Sequence, residues 1–197
     1  MKKKSKKKGS GMKKGGKYER LICKRLSLWW TDNERDDIFW RTAGSGGRAT
    51  QRKKNKQDTY GQHGDVQATD PIGEPLTMLC SIEIKCGYSS NTFSELLEKN
   101  QNPKVKACLY QKFIEQAEIS AEAGKTYAWI VISKRNGRTP IVIMPGYFYK
   151  ALKQYHTIGA RVTFDTGGEL QTIFITTLDE FLDIDRDVFE NLYDRKR

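Results

Sequence analysis

The chain has 197 residues, a net charge of +11, 37% hydrophobic and 11% aromatic residues, which is enough for one domain with its own core. No run of about eighteen apolar residues occurs, and the basic start lacks an apolar segment, so neither a membrane-spanning helix nor a secretory signal is expected. Cys23, Cys80, Cys86 and Cys108 form no Cys-x-x-Cys pair and only His63 and His156 could add nitrogen ligands, which disfavours structural zinc and points to free thiols in a reducing cytoplasm.

The charge is uneven. Residues 1 to 17 carry nine lysines and no acid, leaving about +2 for the rest. A Lys/Gly/Ser tail cannot bury apolar surface, so 1–16 is expected to be a disordered basic tail and 17–197 a single domain. Such a tail binds polyanions through counterion release; the alternative is a solubility tail. A membrane surface is disfavoured because no aromatic or leucine anchor accompanies the lysines.

The spacing predicts a first helix over 17–30, with Ile22, Cys23, Leu26 and Trp30 as its inward stripe. Glu19 falls on that same face, near the N-terminal end, where the helix dipole would also favour a carboxylate. After a polar acidic turn over 31–37, residues 38–43 read as a short strand that ends in Gly44-Ser45-Gly46-Gly47-Arg48. A glycine-rich turn can present backbone N–H groups to an anion, or it can simply be flexible. Arg48, Arg52, Lys53, Lys54 and Lys56 then stand against Asp58 alone. This segment reads as a basic loop able to clamp a DNA backbone, or as a solvated surface loop. His63, two residues before Asp65, is either a loop histidine or a water-positioning group.

Residues 65–69 and 78–85 read as strands joined by the turn-rich link 70–75. In the second, Met78, Cys80, Ile82 and Ile84 alternate with Leu79, Ser81, Glu83 and Lys85. A hairpin would bring Asp65 to Glu83 and Lys85. Two carboxylates suit a hard cation such as Mg²⁺, and a lysine there can orient or deprotonate water or neutralise phosphate charge. Most patterns of this kind, taken alone, are solvated cross-strand charge pairs.

Beyond a turn at 87–90, a short helix is expected around 93–99 and a longer one from Pro103 to about Ala123, with Val105, Leu109, Phe113 and Ala117 inward and Gln116 bordering that stripe. Residues 127–132 and 140–144 are apolar strands joined through Asn136-Gly137, with two-sided burial. Residues 147–155 look helical; Tyr147, Phe148, Tyr149 and Tyr155 serve packing or base stacking. A hairpin around Gly167-Gly168 and two short helices over 178–184 and 187–193 complete the chain.

Asp65, then Glu83-x-Lys85 on an apolar strand, resembles the PD-(D/E)xK nuclease superfamily, and within it the small Holliday junction resolvases and related phage endonucleases. Gly16-Lys17-Tyr18-Glu19-Arg20 resembles the family's helix start. Arg41-Thr42-Ala43-Gly44-Ser45-Gly46 resembles its Arg-x-x-Gly-Ser-Gly stretch, and Gln116-Ala117-Glu118 the segment after the core lysine. The likeness covers roughly residues 16 to 145; Gly64 stands where proline is usual, and a basic insertion of about twenty residues separates Ser45 from Asp65.

The resemblance implies an α/β restriction-endonuclease-like core, a mixed β-sheet flanked by helices. It implies a Mg²⁺-dependent endonuclease acting on branched or duplex DNA, as a homodimer, with roles in recombination or repair, in the host cytoplasm if viral. Asp65 and Glu83 would hold the metal, Lys85 would activate water and Glu19 would be a third acidic member. Arg41 and Ser45 would contact phosphate or junction, and Gln116 would hold water or phosphate. The alternative is a non-catalytic nucleic-acid-binding or packaging accessory protein.

Overall fold

The computed structural model describes residues 10–42, 63–88, 92–97, 108–152, 159–165 and 169–197. In chain order the elements are α1 (Ser10–Trp30), β1 (Phe39–Arg41), β2 (Val66–Ala68), α2 (Glu74–Leu79), β3 (Cys80–Tyr88), α3 (Leu109–Gly124), β4 (Ala128–Arg135), β5 (Ile141–Pro145), α4 (Gly146–Leu152), β6 (Gly159–Asp165), β7 (Leu170–Thr177), α5 (Leu178–Leu182) and α6 (Arg186–Lys196). Short 3₁₀ turns lie at Pro71–Gly73 and Phe93–Leu96.

The main sheet runs β3-β4-β5-β7-β6. β3 and β4 are parallel, with α3 in the crossover between them, as a parallel pair requires. The other neighbours are antiparallel, and β4 and β5 are joined through the expected Asn136-Gly137 turn, where Gly137 has φ +68°. A mixed sheet between helical layers is the restriction-endonuclease-like arrangement that the sequence led us to expect.

Alternation along the strands builds two cores. Ile82, Ile84, Ile130 and Ile132 face a cluster completed by Ile22, Cys23, Leu26 and Trp30 of α1 and by Phe181 and Phe189 of the C-terminal helices. Trp129 and Val131 face the other way, onto Tyr110, Phe113, Ile114 and Ala117 of α3. Burial on both faces explains why β4 and β5 read as continuous apolar runs. Phe148 is fully buried and Tyr149 stacks on Phe174, so packing claims both, while Tyr155 lies outside the described residues.

Three local expectations change. First, α1 begins at Ser10 rather than at Lys17, so 10–16 is helical; residues 1–9 lie outside the described residues. Glycine costs a helix interior about 1 kcal/mol relative to alanine, and Gly16 has a packing reason to be there: a Cβ on it would come within 3.2 Å of the Arg41 guanidinium.

Second, β2 does not form a hairpin with β3; it pairs antiparallel with β1, Trp40 opposite Gln67. The intervening proline-rich link folds as a 3₁₀ turn and α2, because a proline in the first turn starts a helix where it would break a strand. Asp70 caps that turn by accepting from the Ile72 amide at 3.1 Å, and Trp30 Nε1 donates to the Ile72 carbonyl at 2.7 Å. Met78 consequently sits on α2, exposed, while Leu76 and Leu79 go inward at helical spacing.

Third, α3 starts at Leu109, with Cys108 Sγ accepting from the Gln111 amide. Pro103 and Val105, which the sequence placed in its first turns, lie outside the described residues.

Candidate active site

Among the described residues β3 is an edge strand of the main sheet, and Asp65 meets its outer border. The Asp65 amide donates to the Ile82 carbonyl at 2.7 Å, and Asp65 Oδ2 accepts from the Ile84 amide at 2.8 Å. Gly64 makes this approach possible: its φ is +74°, and a Cβ there would lie 2.6 Å from the Ile82 carbonyl oxygen. The glycine that departs from the family's proline therefore has a steric reason.

The expected meeting of Asp65, Glu83 and Lys85 occurs, though by a different route from a hairpin. Lys85 Nζ lies 2.6 Å from Glu83 Oε2 and 3.8 Å from Asp65 Oδ2, bridging the two carboxylates. It also stands 6.0 Å from the centre of the Phe113 ring. All three side chains are largely shielded from water.

Glu83 is fixed from α3. Gln116 Nε2 donates to Glu83 Oε2 at 2.9 Å, and Ser120 Oγ donates to Oε1 at 2.8 Å. Gln116, singled out by resemblance, thus acts on a carboxylate in the site. Ser120 was missed; the signal was its place four residues on, on the same face of one helix. Burial holds the Glu83 carboxyl above the ordinary carboxylate range, the charge of Asp65 raises it further, and Lys85 and Ser120 oppose both.

Glu19 does not join this group. It lies on α1 with Oε2 2.8 Å from Arg41 Nε, and the two atoms meet as a buried ion pair without hydrogen-bond alignment. Among the described residues, no three or more His, Cys, Asp or Glu side chains come together as a metal-binding group. Arg41 is correspondingly turned onto Glu19 and Gly16. His63 lies against Gly124, close to where a Cβ on that glycine would be. Ser45, Arg48, Arg52, Lys53 and Lys54 lie outside the described residues.

The donor set suits a hard divalent cation. It offers the carboxylate oxygens of two acids, and Glu83 is held above its usual range by burial first and then by the charge of Asp65, a repulsion that a cation between them would relieve. The cysteines are free thiols, Cys23 and Cys80 buried. Among the described residues no helix is long and apolar enough to cross a membrane.

A mixed sheet with a Glu-x-Lys on its parallel edge and an Asp held against that edge through the lysine is the arrangement of the PD-(D/E)xK superfamily. The family described as "Phage putative PDDEXK endonuclease" matches residues 6–191, nearly the whole chain, and this protein belongs to it. No curated protein and no solved structure matches the chain.

Proposed function

We propose that the protein is a metal-dependent DNA endonuclease, with branched DNA such as a four-way junction as its preferred substrate. The observation that carries this reading is the convergence of Asp65 and Glu83 on Lys85, with Glu83 locked from α3. A solvated charge pair would not place a carboxylate that is 3% exposed between two neutral donors.

Asp65 and Glu83 would hold Mg²⁺ or Mn²⁺, with the Ile84 carbonyl as a further oxygen. When bound, the cation supplies Lewis acidity to the scissile phosphate and neutralises charge developing on the leaving oxygen. Lys85, already seated between the carboxylates, would orient the attacking water and shield the phosphate's negative charge. Gln116 and Ser120 hold Glu83 in one rotamer, so its oxygens need no reorganisation when the phosphate arrives. Arg41 would leave Glu19 for a DNA phosphate, which would free Glu19 as the third acidic group. Ser45, Arg48, Arg52, Lys53 and Lys54 would add phosphate contacts. The homodimer rests on the likeness to junction resolvases.

Labelled four-way junction, linear duplex and single strand of matched sequence should be incubated with Mg²⁺ or EDTA. Paired, metal-dependent nicks in the junction support the full reading. Metal-dependent cleavage of every substrate keeps the nuclease and removes the junction preference. Binding without cleavage in any divalent metal would replace it with an accessory nucleic-acid-binding protein.

Ser120→Ala and Gln116→Ala should each lower cleavage by about 10–100-fold, as loss of groups that orient metal-holding side chains does, with DNA affinity unchanged in a gel-shift assay. Cleavage should rise with pH through a value above the ordinary glutamate range, since Glu83 must be ionised and burial raises it. The stability effect runs the other way. A carboxyl raised in the fold stabilises at low pH, and that contribution is lost as pH rises through its folded value. Melting in EDTA should therefore lose stability over that range, and Mg²⁺ should raise the melting temperature more at pH 8 than at pH 5.

A further inference from the structure

The β1–β2 ribbon has two unlike faces. Phe39, Val66 and Ala68 pack into the core, and Arg41 turns to Glu19 on α1. Trp40 points the other way and is 48% exposed. Of the four tryptophans, Trp30 and Trp129 are buried, and Trp29 packs edge-on against Phe189 with Nε1 donating to the Ile184 carbonyl. Trp40 alone stands open, and among the described residues its indole has no ring or hydrogen-bond partner.

Its position relative to the site follows from the register. Trp40 is opposite Gln67, and the Thr42 amide donates to the Asp65 carbonyl at 3.0 Å, so the ladder continues to the Thr42–Asp65 pair. Residues two apart on a strand share a face, so Trp40, Thr42, Gln67 and Asp65 lie on one face of the ribbon, with Thr42 and Asp65 buried and Trp40 exposed. Trp40 is the diagonal cross-strand neighbour of Asp65, a separation of about 7–8 Å between backbones, within reach of a large aromatic ring. That is close to the spacing of adjacent nucleotides along a strand. In sequence, β1 also leads directly into Arg48, Arg52, Lys53, Lys54 and Lys56, opposed only by Asp58.

We infer that Trp40 stacks on an unpaired nucleobase beside the phosphate presented to Asp65 and Glu83. This rests on the nuclease reading and narrows its substrate class. Every base has a face on which an indole can stack, but in an intact duplex both faces are taken by neighbouring bases. Trp40 thus favours DNA with an unpaired or readily unstacked base next to the cut, at a branch point or in a single strand, over continuous duplex.

The test uses the whole protein in EDTA. Tryptophan emission is followed while single strand, four-way junction or linear duplex is added, with binding measured separately by anisotropy of labelled DNA. Single strand and junction should quench the emission at saturation, duplex should bind with little quenching, and Trp40→Phe should remove most of the signal. Trp40→Ala should weaken single-strand and junction binding by about tenfold to a hundredfold, with duplex affinity changed by less than about twofold and Trp40→Phe near wild type.

Equal quenching by duplex, no quenching by bound single strand, or equal loss of all three substrates in Trp40→Ala would overturn the stacking role. So would emission that changes with protein concentration before any DNA is added, which marks a contact between two copies of the chain. Metal-dependent cleavage by the wild type separates the outcomes: if it persists while Trp40 is indifferent, only the stacking role falls, and if cleavage and DNA binding are both absent, the nuclease reading falls with it.

Discussion

In Glu83→Gln, cleavage of every DNA substrate is expected to fall by about a thousandfold or more, which is about 4 kcal/mol of transition-state stabilisation. Affinity for DNA in EDTA should stay within a few-fold of wild type. The substitution keeps the shape and one acceptor oxygen, which can serve either Ser120 or the Gln116 and Lys85 donors, and it removes the charge a divalent cation would need. Folding should be spared. Glu83 is a buried acid held above its usual range, so a neutral isostere relieves a cost at neutral pH, and Lys85 keeps Asp65 as a neighbour. The melting temperature at pH 8 should stay within a few degrees of wild type, the relief of a buried charge offsetting the lost Lys85 pair, while the added stabilisation by Mg²⁺ disappears. Asp65→Asn should be equally inactive. DNA binding lost in step with cleavage would instead mark misfolding or a non-catalytic role.

The largest effect on stability is expected from Trp30→Ala, at about 3–5 kcal/mol, or on the order of 10 °C in melting temperature for a chain of this size. Trp30 is fully buried and ties three parts of the fold together. Its ring lies 6.0 Å from Phe39 of β1 and 6.5 Å from Phe189 of α6, and its Nε1 donates to Ile72 in the turn before α2. Truncation leaves a cavity and strips the Ile72 carbonyl of its donor. The ribbon that carries Arg41 and leads to Asp65 rests on this packing, so residual activity should be lost at lower temperature than in wild type. Leu170→Ala, at a side chain 80% exposed, should change stability by less than about 0.5 kcal/mol.

Much of this was legible because burial leaves a period in the sequence. The stripe Ile22, Cys23, Leu26 and Trp30 needed only helical spacing, and the two-sided runs of β4 and β5 and the Asn136-Gly137 turn were equally local. The meeting of Asp65 with Glu83 was anticipated, but the path was not. Prolines at 71 and 75 read as turn residues, whereas packing of Leu76 and Leu79 and the Trp30–Ile72 hydrogen bond draw the link into a helix. Tertiary contacts of that kind carry no local signature. Ser120 escaped for the same reason, since a helix-flank serine means nothing until the strand it faces is known. Glu19 was expected as a third acid of the site, but it pairs instead with Arg41, twenty-two residues on, at a spacing no periodicity links.

The Asp65 side chain has a consequence for how the protein behaves in a crowded cell. At the border of β3 left open among the described residues, the Asp65 backbone amide takes the Ile82 carbonyl and its side chain takes the Ile84 amide, much as a further strand would. An apolar strand with such groups bare is a template on which another chain can zip up. The same acid that would grip the cation therefore also plugs the seam against self-association. Asp65→Ala leaves the buried Ile84 amide without its acceptor, at a cost of about 1–3 kcal/mol, and uncaps the row. Alanine at this position is expected to give an inactive protein prone to clump, whereas asparagine, which keeps an oxygen for Ile84, is expected to give one that is inactive but no more prone to clump than wild type.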